Sequence, residues 1–242
     1  MPIVTTRSVV LKTYPYSDTS KILRLMTRDH GPRSAIAKGA RRSGSKFGGL
    51  IEPFAEGYAT LYLKENRDLH TLSDFDLIRE RQGLGQDLPR YAGASVVCEM
   101  VMRLAPAHRD DRLFKVLVSG LDALIDADRD DVEGVALRQV WRVVAALGFA
   151  PDLRRCVGCG RDVGEGEEAR FDFAEGGLRC TACGARGARL SPDEVAALRR
   201  LANGKGPPGA PGSRQRRVVV DFIRYHLTEG TRLRSLDFLA GT

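Results

Sequence analysis

The 242-residue chain has no run of about eighteen apolar residues of the kind that spans a bilayer. Its first stretch, MPIVTTRSVVLKTYPYSD, lacks an apolar core followed by a small-residue cleavage site. The expected address is therefore cytoplasmic, with no membrane attachment. HExxH and G-x-S-x-G are absent, and the four histidines, His30, His70, His108 and His226, stand in unrelated contexts, so an enzyme is not indicated. Acid is scarce in one place above all. Residues 1–51 hold ten Lys or Arg against Asp18 and Asp29, a net of +8, whereas the whole chain nets +7 and the remainder therefore −1. A positive excess gathered in the first fifth of a chain favours an extended anion as partner, although anionic lipid feels the same field. With 43% hydrophobic and 29% charged residues, a mostly disordered chain is excluded.

Cysteine is also sparse, and its placement is informative. Four of the five read C-x2-C-x20-C-x2-C, as Cys156, Cys159, Cys180 and Cys183, with Gly160 and Gly184 directly after each pair. Each CxxC lets a tight turn aim two thiolates at one point, and the glycines give the turns their backbone freedom. A redox pair needs only one CxxC beside a βαβ unit, so the doubled spacing points to a tetrahedral four-thiolate Zn²⁺ site. Four thiolates leave no position for a water, which makes the zinc structural. It is expected to supply folding energy to a segment, residues 152–190, that lacks a core of its own. Arg154, Arg155, Arg161 and Arg179 surround the cysteines, but so do Glu165, Glu167, Glu168, Asp172 and Glu175, which leaves direct DNA contact by this knuckle open. Cys98, beside Val97 and Val101, reads as a buried apolar residue.

From Thr5 to about Glu80, short apolar runs (SVVLKTY, KILRLMT, RSAIAKG, AEGYATLYLKE, LHTLSDFDLI) alternate with turn-rich separators. Five strands result, with Ala59, Leu61 and Leu63 facing inward against Tyr58, Thr60 and Tyr62. Five strands in so short a span suit an OB-fold barrel. After RQGLGQDLP the period becomes helical. Asp87 caps a helix with Pro89 in its first turn; a second carries Leu113, Leu117, Leu121 and Leu124 on one face, and a third carries Leu137, Val140, Trp141, Val144 and Leu147 before Gly148 and Pro151 stop it. Ser191 and Glu194 form a capping box after the knuckle, residues 203–214 read as a mobile Gly/Pro loop, and RQRRVVVDFIRYHLTEG is a further helix. The expected class is α+β: an OB-fold nucleic-acid-binding domain over residues 1–80, then a helical domain over 81–242 with the zinc knuckle inserted at 152–190.

The stretch AKGARRSGSK, Ala37 to Lys46, spaces Gly39 and Gly44 like a phosphate-binding loop. However, G-x-x-x-x-G-K-[ST] needs lysine and then a hydroxyl, and here Ser45 precedes Lys46. The competing reading is a flexible basic hairpin between two barrel strands, with Arg33, Lys38, Arg41, Arg42 and Lys46 facing the phosphates of a nucleic acid. A merely solvated loop is the bland alternative. Tyr58 and Tyr62 either stack bases or cover the barrel, and Arg214, Arg216 and Arg217 form a secondary basic patch.

Through DTSKILRLMTRDHGPRSAIAKGARR and SKFGGLIEPF, the four-cysteine knuckle and the ending HLTEGTRLRSLDFL, the sequence resembles the RecO family of bacterial recombination mediators. The resemblance implies an OB-fold, a helical domain and a zinc knuckle. It further implies sequence-independent binding of single- and double-stranded DNA in the nucleoid and annealing of complementary strands without ATP. The implied partners are RecR and the C-terminal tail of single-strand-binding protein, in support of RecA loading. The rival class is a zinc-knuckle interaction adaptor whose basic barrel is incidental.

Overall fold

Period-two alternation sets the first five strands, β1 (Ile3–Pro15), β2 (Lys21–Thr27), β3 (Gly31–Ala37), β4 (Glu56–Tyr62) and β5 (Leu69–Arg79). Each lies on one of the five apolar runs. The structure, a computed structural model, describes residues 2–64, 67–204, 212–228 and 233–240. The strands close into a barrel in the order β1-β2-β3-β5-β4, with β3 and β5 parallel and the other pairs antiparallel. This is the connectivity of an OB-fold. β1 is long because it serves two neighbours: residues 3–9 pair with β4 and residues 8–15 with β2, and the register slips between Val10 and Lys12. The bulge bends the strand round the barrel, and there Val10 exchanges 2.8 Å backbone hydrogen bonds with Phe54 and Ala55. Leu23, Leu25, Ala35, Ala59, Leu61, Leu72 and Phe75 fill the interior, while Tyr58 is exposed, as the alternation predicts.

Asp87 caps α1 (Leu88–Leu104), accepting from the Arg90 amide at 2.9 Å. α2 (Asp111–Asp126) buries all four leucines of its predicted stripe. Both helices belong with the barrel to a compact unit spanning Met1–Asp126. Within it lies an ionic clamp that no sequence pattern announces. Arg81, fully buried and left-handed at φ 56°, sets Nη2 2.6 Å from Glu56 Oε2 and Nε 2.8 Å from Asp122 Oδ1, and donates from Nη1 to the Phe54 carbonyl at 3.1 Å. Glu56 also receives Arg7 at 2.5 Å, and Asp122 receives Arg79 at 2.7 Å. Cys98 is buried as expected, and burial pushes its thiol up to about 12.

The second compact unit, Ala127–Thr242, contains α3 (Val132–Ala146), β6 (Ala169–Asp172), β7 (Gly177–Cys180), β8 (Ala188–Leu190), α4 (Pro192–Ala202), α5 (Ser213–Leu227) and α6 (Leu236–Ala240). The capping box before α4 forms in both directions. Residues 152–190 correct one expectation: they do possess a core. β6, β7 and β8 make an antiparallel sheet in the order β7-β6-β8, burying Val163, Phe171, Leu178 and Leu190. Phe171 meets Phe222 of α5 edge-on at 5.7 Å, and Phe222 meets Trp141 of α3 at 5.8 Å. Strands of three and four residues are too short to show a period. Of the Gly/Pro stretch 203–214, residues 205–211 lie outside the described residues, as do residues 229–232 of the C-terminal motif. No helix among the described residues is long and apolar enough to cross a membrane.

Candidate metal centre and nucleic-acid interface

Cys156 and Cys159 sit on a tight turn that begins and ends on backbone hydrogen bonds, Cys156 N to Arg161 O and Gly160 N to Cys156 O, both 2.8 Å. Gly160 and Gly184 take positive φ, 75° and 96°, the left-handed backbone that each CxxC turn demands. Gly158 is needed for a different reason, since a Cβ there would lie 2.6 Å from Arg179 Nη1 and 3.3 Å from Cys183 Sγ. The four sulfurs come together within 4.8 Å of one another, with Cys159 and Cys180 Sγ 3.9 Å apart. Metal–sulfur bonds of about 2.3 Å in a tetrahedron put the sulfurs about 3.8 Å apart, so the donor set fits a metal ion with little adjustment.

The surroundings prepare these thiols as ligands. Burial disfavours ionisation of Cys156, but the amides of Cys180, Cys159 and Gly158 outweigh it and bring the thiol down to about 6. Arg161 lowers Cys180 by donating to its sulfur, whereas the three neighbouring sulfurs push Cys183 up to about 12. A shared cation relieves that mutual opposition. Both flanking arginines are held by acids: Arg161 pairs with Glu167 at 2.9 Å and Arg179 with the buried Asp172 at 2.8 Å. Arg199 of α4 donates to the carbonyls of Leu153, Val163 and Gly164, stitching the first cysteine turn to the helix.

The basic segment differs from the flexible hairpin that the sequence suggests. It joins β3 to β4, which are not neighbours in the barrel, and it is anchored. Ala40, Phe47 and Ile51 are part of the barrel core, and successive turns bond Arg42 N to Gly39 O, Ser45 N to Arg42 O and Gly48 N to Ser45 O at 3.0–3.1 Å. Apolar side chains interleaved with the cations are the physical reason. No helix begins here, so the helix N-terminus that a nucleotide-binding phosphate loop opens onto is missing from residues 38–55.

Lys38, Arg41, Arg42 and Lys46 are all exposed on this anchored segment. Arg41 is steadied by donating to the Ser17 carbonyl at 2.7 Å, and Lys46 lies 3.5 Å from the exposed Asp74. Arg33 stands apart. It is half-buried on the opposite face of β3, donates to the carbonyls of Pro32 and Ala107, and is held below the usual arginine range by burial. The secondary patch is largely engaged within its own unit, with Arg214 on Glu194, Arg216 on Glu133 and Arg217 on Asp221.

Sequence reasoning missed Lys12 and Arg24. The β1–β2 register sets them side by side, and neither has an ion-pair partner among the described residues. The bulge at Val10 hides them, because it shifts which face Lys12 occupies.

A closed OB barrel with exposed cations, together with a four-thiol cluster in a second unit that could hold a metal ion, defines a two-part protein. The family described as Recombination protein O N terminal matches residues 1–81, and Recombination protein O C terminal matches residues 85–237. A DNA repair protein RecO of Anaeromyxobacter sp. (strain K) is 36% identical over 243 residues, covering 96% of this chain and 93% of the relative. Those of Nocardioides sp. (strain ATCC BAA-499 / JS614) and Bifidobacterium adolescentis are 31% and 32% identical, covering 93% and 98% of this chain and 95% and 100% of the relatives. The chain belongs to the RecO family of DNA repair proteins.

Proposed function

We infer that this protein binds DNA without sequence preference and anneals complementary strands without ATP and without catalytic chemistry of its own. The observation that carries the reading is the set of four exposed cations, Lys38, Arg41, Arg42 and Lys46, on a segment whose Phe47 and Ile51 are locked in the barrel core. Cations fixed in this way neutralise phosphates and release their counter-ions at small cost in loop entropy. Arg33 adds its charge from the end of the barrel. Annealing requires two polyanions to approach, and a cationic surface lowers their repulsion while leaving the bases to pair.

The barrel, residues 1–80, is the DNA-binding domain, and residues 81–242 form the helical domain that carries the knuckle. The metal is a structural Zn²⁺, because Cys156, Cys159, Cys180 and Cys183 supply four soft ligands and, among the described residues, no nitrogen or carboxylate donor joins the cluster. Family membership supports the wider role: with RecR, and by docking the C-terminal tail of single-strand-binding protein, the protein assists RecA onto single strands at gaps and breaks, working on single- and double-stranded DNA in the cytoplasm at the nucleoid. The test is annealing of complementary oligonucleotides by the purified chain. Acceleration that is indifferent to ATP and magnesium is expected. Absence of annealing, with partner proteins still bound, would favour an interaction adaptor and overturn this reading.

A further inference from the structure

The barrel presents two outward faces that carry a tyrosine, and they differ in charge. On the first, strand register aligns Lys12 with Arg24 and Ser34, and the next row aligns Tyr14 with Ile22, Ile36 and Thr71. Their inward neighbours Leu23, Leu25, Ala35 and Ala37 are core, so these two rows face outward. The Lys12 ammonium lies 5.3 Å from the centre of the Tyr14 ring, which is 38% exposed. Lys38 lies in the turn directly after β3. These two rows contain no acid. On the second face, Tyr58 is flanked in register by Arg7 and Asp76, and Thr60 by Asp74. Arg7 there is already bound to Glu56 at 2.5 Å.

A nucleobase that stacks on an aromatic ring brings its phosphates with it, so the ring must stand among cations and away from carboxylates. Tyr58 has a carboxylate beside it. Tyr14 has Lys12 over its ring, Arg24 one row away and the apolar Ile22 and Ile36 to extend the platform. We propose that Tyr14, with Ile22 and Ile36, forms a stacking subsite for an unpaired base of single-stranded DNA, and that Lys12 and Arg24 hold the adjoining phosphates. The subsite rests on the reading of the barrel as a DNA-binding domain and adds to it a preference for strands whose bases are exposed. A duplex, whose bases are already stacked, gains nothing from Tyr14.

The experiment measures the affinity of the full-length, metal-loaded protein for oligo-dT, for an abasic oligomer with the same backbone, and for duplex DNA. Tyr14→Ala is expected to weaken oligo-dT binding about 5- to 30-fold, the lower part of the range for one base–aromatic stack. Its affinity for the abasic and duplex ligands, and the salt dependence, should stay unchanged. Tyr14→Phe should match the parent, Tyr14→Leu should lose nearly as much as alanine while keeping an apolar strand residue, and Tyr58→Ala should bind as the parent does. Equal loss on the abasic strand would assign Tyr14 a structural role and overturn the subsite, as would full affinity in Tyr14→Ala and Tyr14→Leu, or a loss confined to Tyr58→Ala. If the parent ignores all three ligands, the DNA-binding reading fails together with the subsite. A parent that binds with an indifferent Tyr14 removes the subsite alone.

Discussion

The barrel and the cysteine knuckle hold themselves together by opposite means, and the contrast explains where charge is left over for a partner. The barrel encloses a continuous apolar interior running from Val10 to Phe75, with the Arg81 clamp tying Glu56 to Asp122 beside it. On its surface, Lys12, Arg24, Lys38 and Arg42 have no acid partner among the described residues. The knuckle has three strands of three or four residues and a handful of buried side chains. Its arginines are engaged within the fold: Arg161 on Glu167, Arg179 on Asp172 and Arg199 on three carbonyls. A region with a generous core can leave its charges outward, whereas a region with a small one draws them into its own scaffold, where the proposed metal would add a cross-link.

Removing the cross-link should separate the two regions most sharply. Chelation, or Cys156→Ser combined with Cys180→Ser, is expected to abolish hydrogen-exchange protection of residues 169–180 while barrel amides such as those of Leu23 and Ala59 keep theirs. Structural zinc contributes about 10 to 16 kcal/mol in isolated fingers, at least as much as burial of the knuckle's few apolar side chains at about 1.5–3 kcal/mol each. Retained protection after metal loss would show that the small core suffices. The barrel has its own critical point. Arg81→Met leaves the buried Glu56 carboxylate with Arg7 alone and should lower unfolding stability by about 3–5 kcal/mol, read from the denaturant midpoint, and Glu56→Leu added to it should recover most of that loss. The smallest effect is expected from Asp122. Burial alone would raise its carboxyl, but Arg81 and Arg79 hold it below the usual carboxylate range. A depressed folded value means that its stabilisation is complete above the unfolded value of about 3.9 and is lost as pH falls through the lower folded one. Asp122→Asn should therefore be less stable than the parent at neutral pH, the gap closing below about pH 4 in pH-dependent melts. A gap that persists in acid would mean that the residue acts through packing.

The features that were legible in the sequence share a physical cause: a local pattern with a single solution. Alternation around Ala59 and Leu61 fixes strand faces, Asp87 and Ser191 fix helix starts, and the doubled CxxC fixes four ligands. What escaped is set by distant partners. Arg81 looks like any surface arginine until Glu56 and Asp122 meet it, and the strands at Ala169–Asp172 and Gly177–Cys180 are too short for a period to register. Phe47 and Ile51, just beyond the basic stretch, belong to the barrel core and make the segment a fixed surface in place of a swinging one. Lys12 joined Arg24 only through a bulge that no composition reveals.

The most direct measurement is the salt dependence of single-strand affinity for the parent and for Arg41→Ala combined with Arg42→Ala. Four exposed loop cations, each neutralising one phosphate, contribute about −3 to the slope of log affinity against log salt, and the double variant should make the measured slope shallower by about 1.5. A slope that does not change between the two would contradict the assignment of the anchored basic segment as the surface that meets the strand.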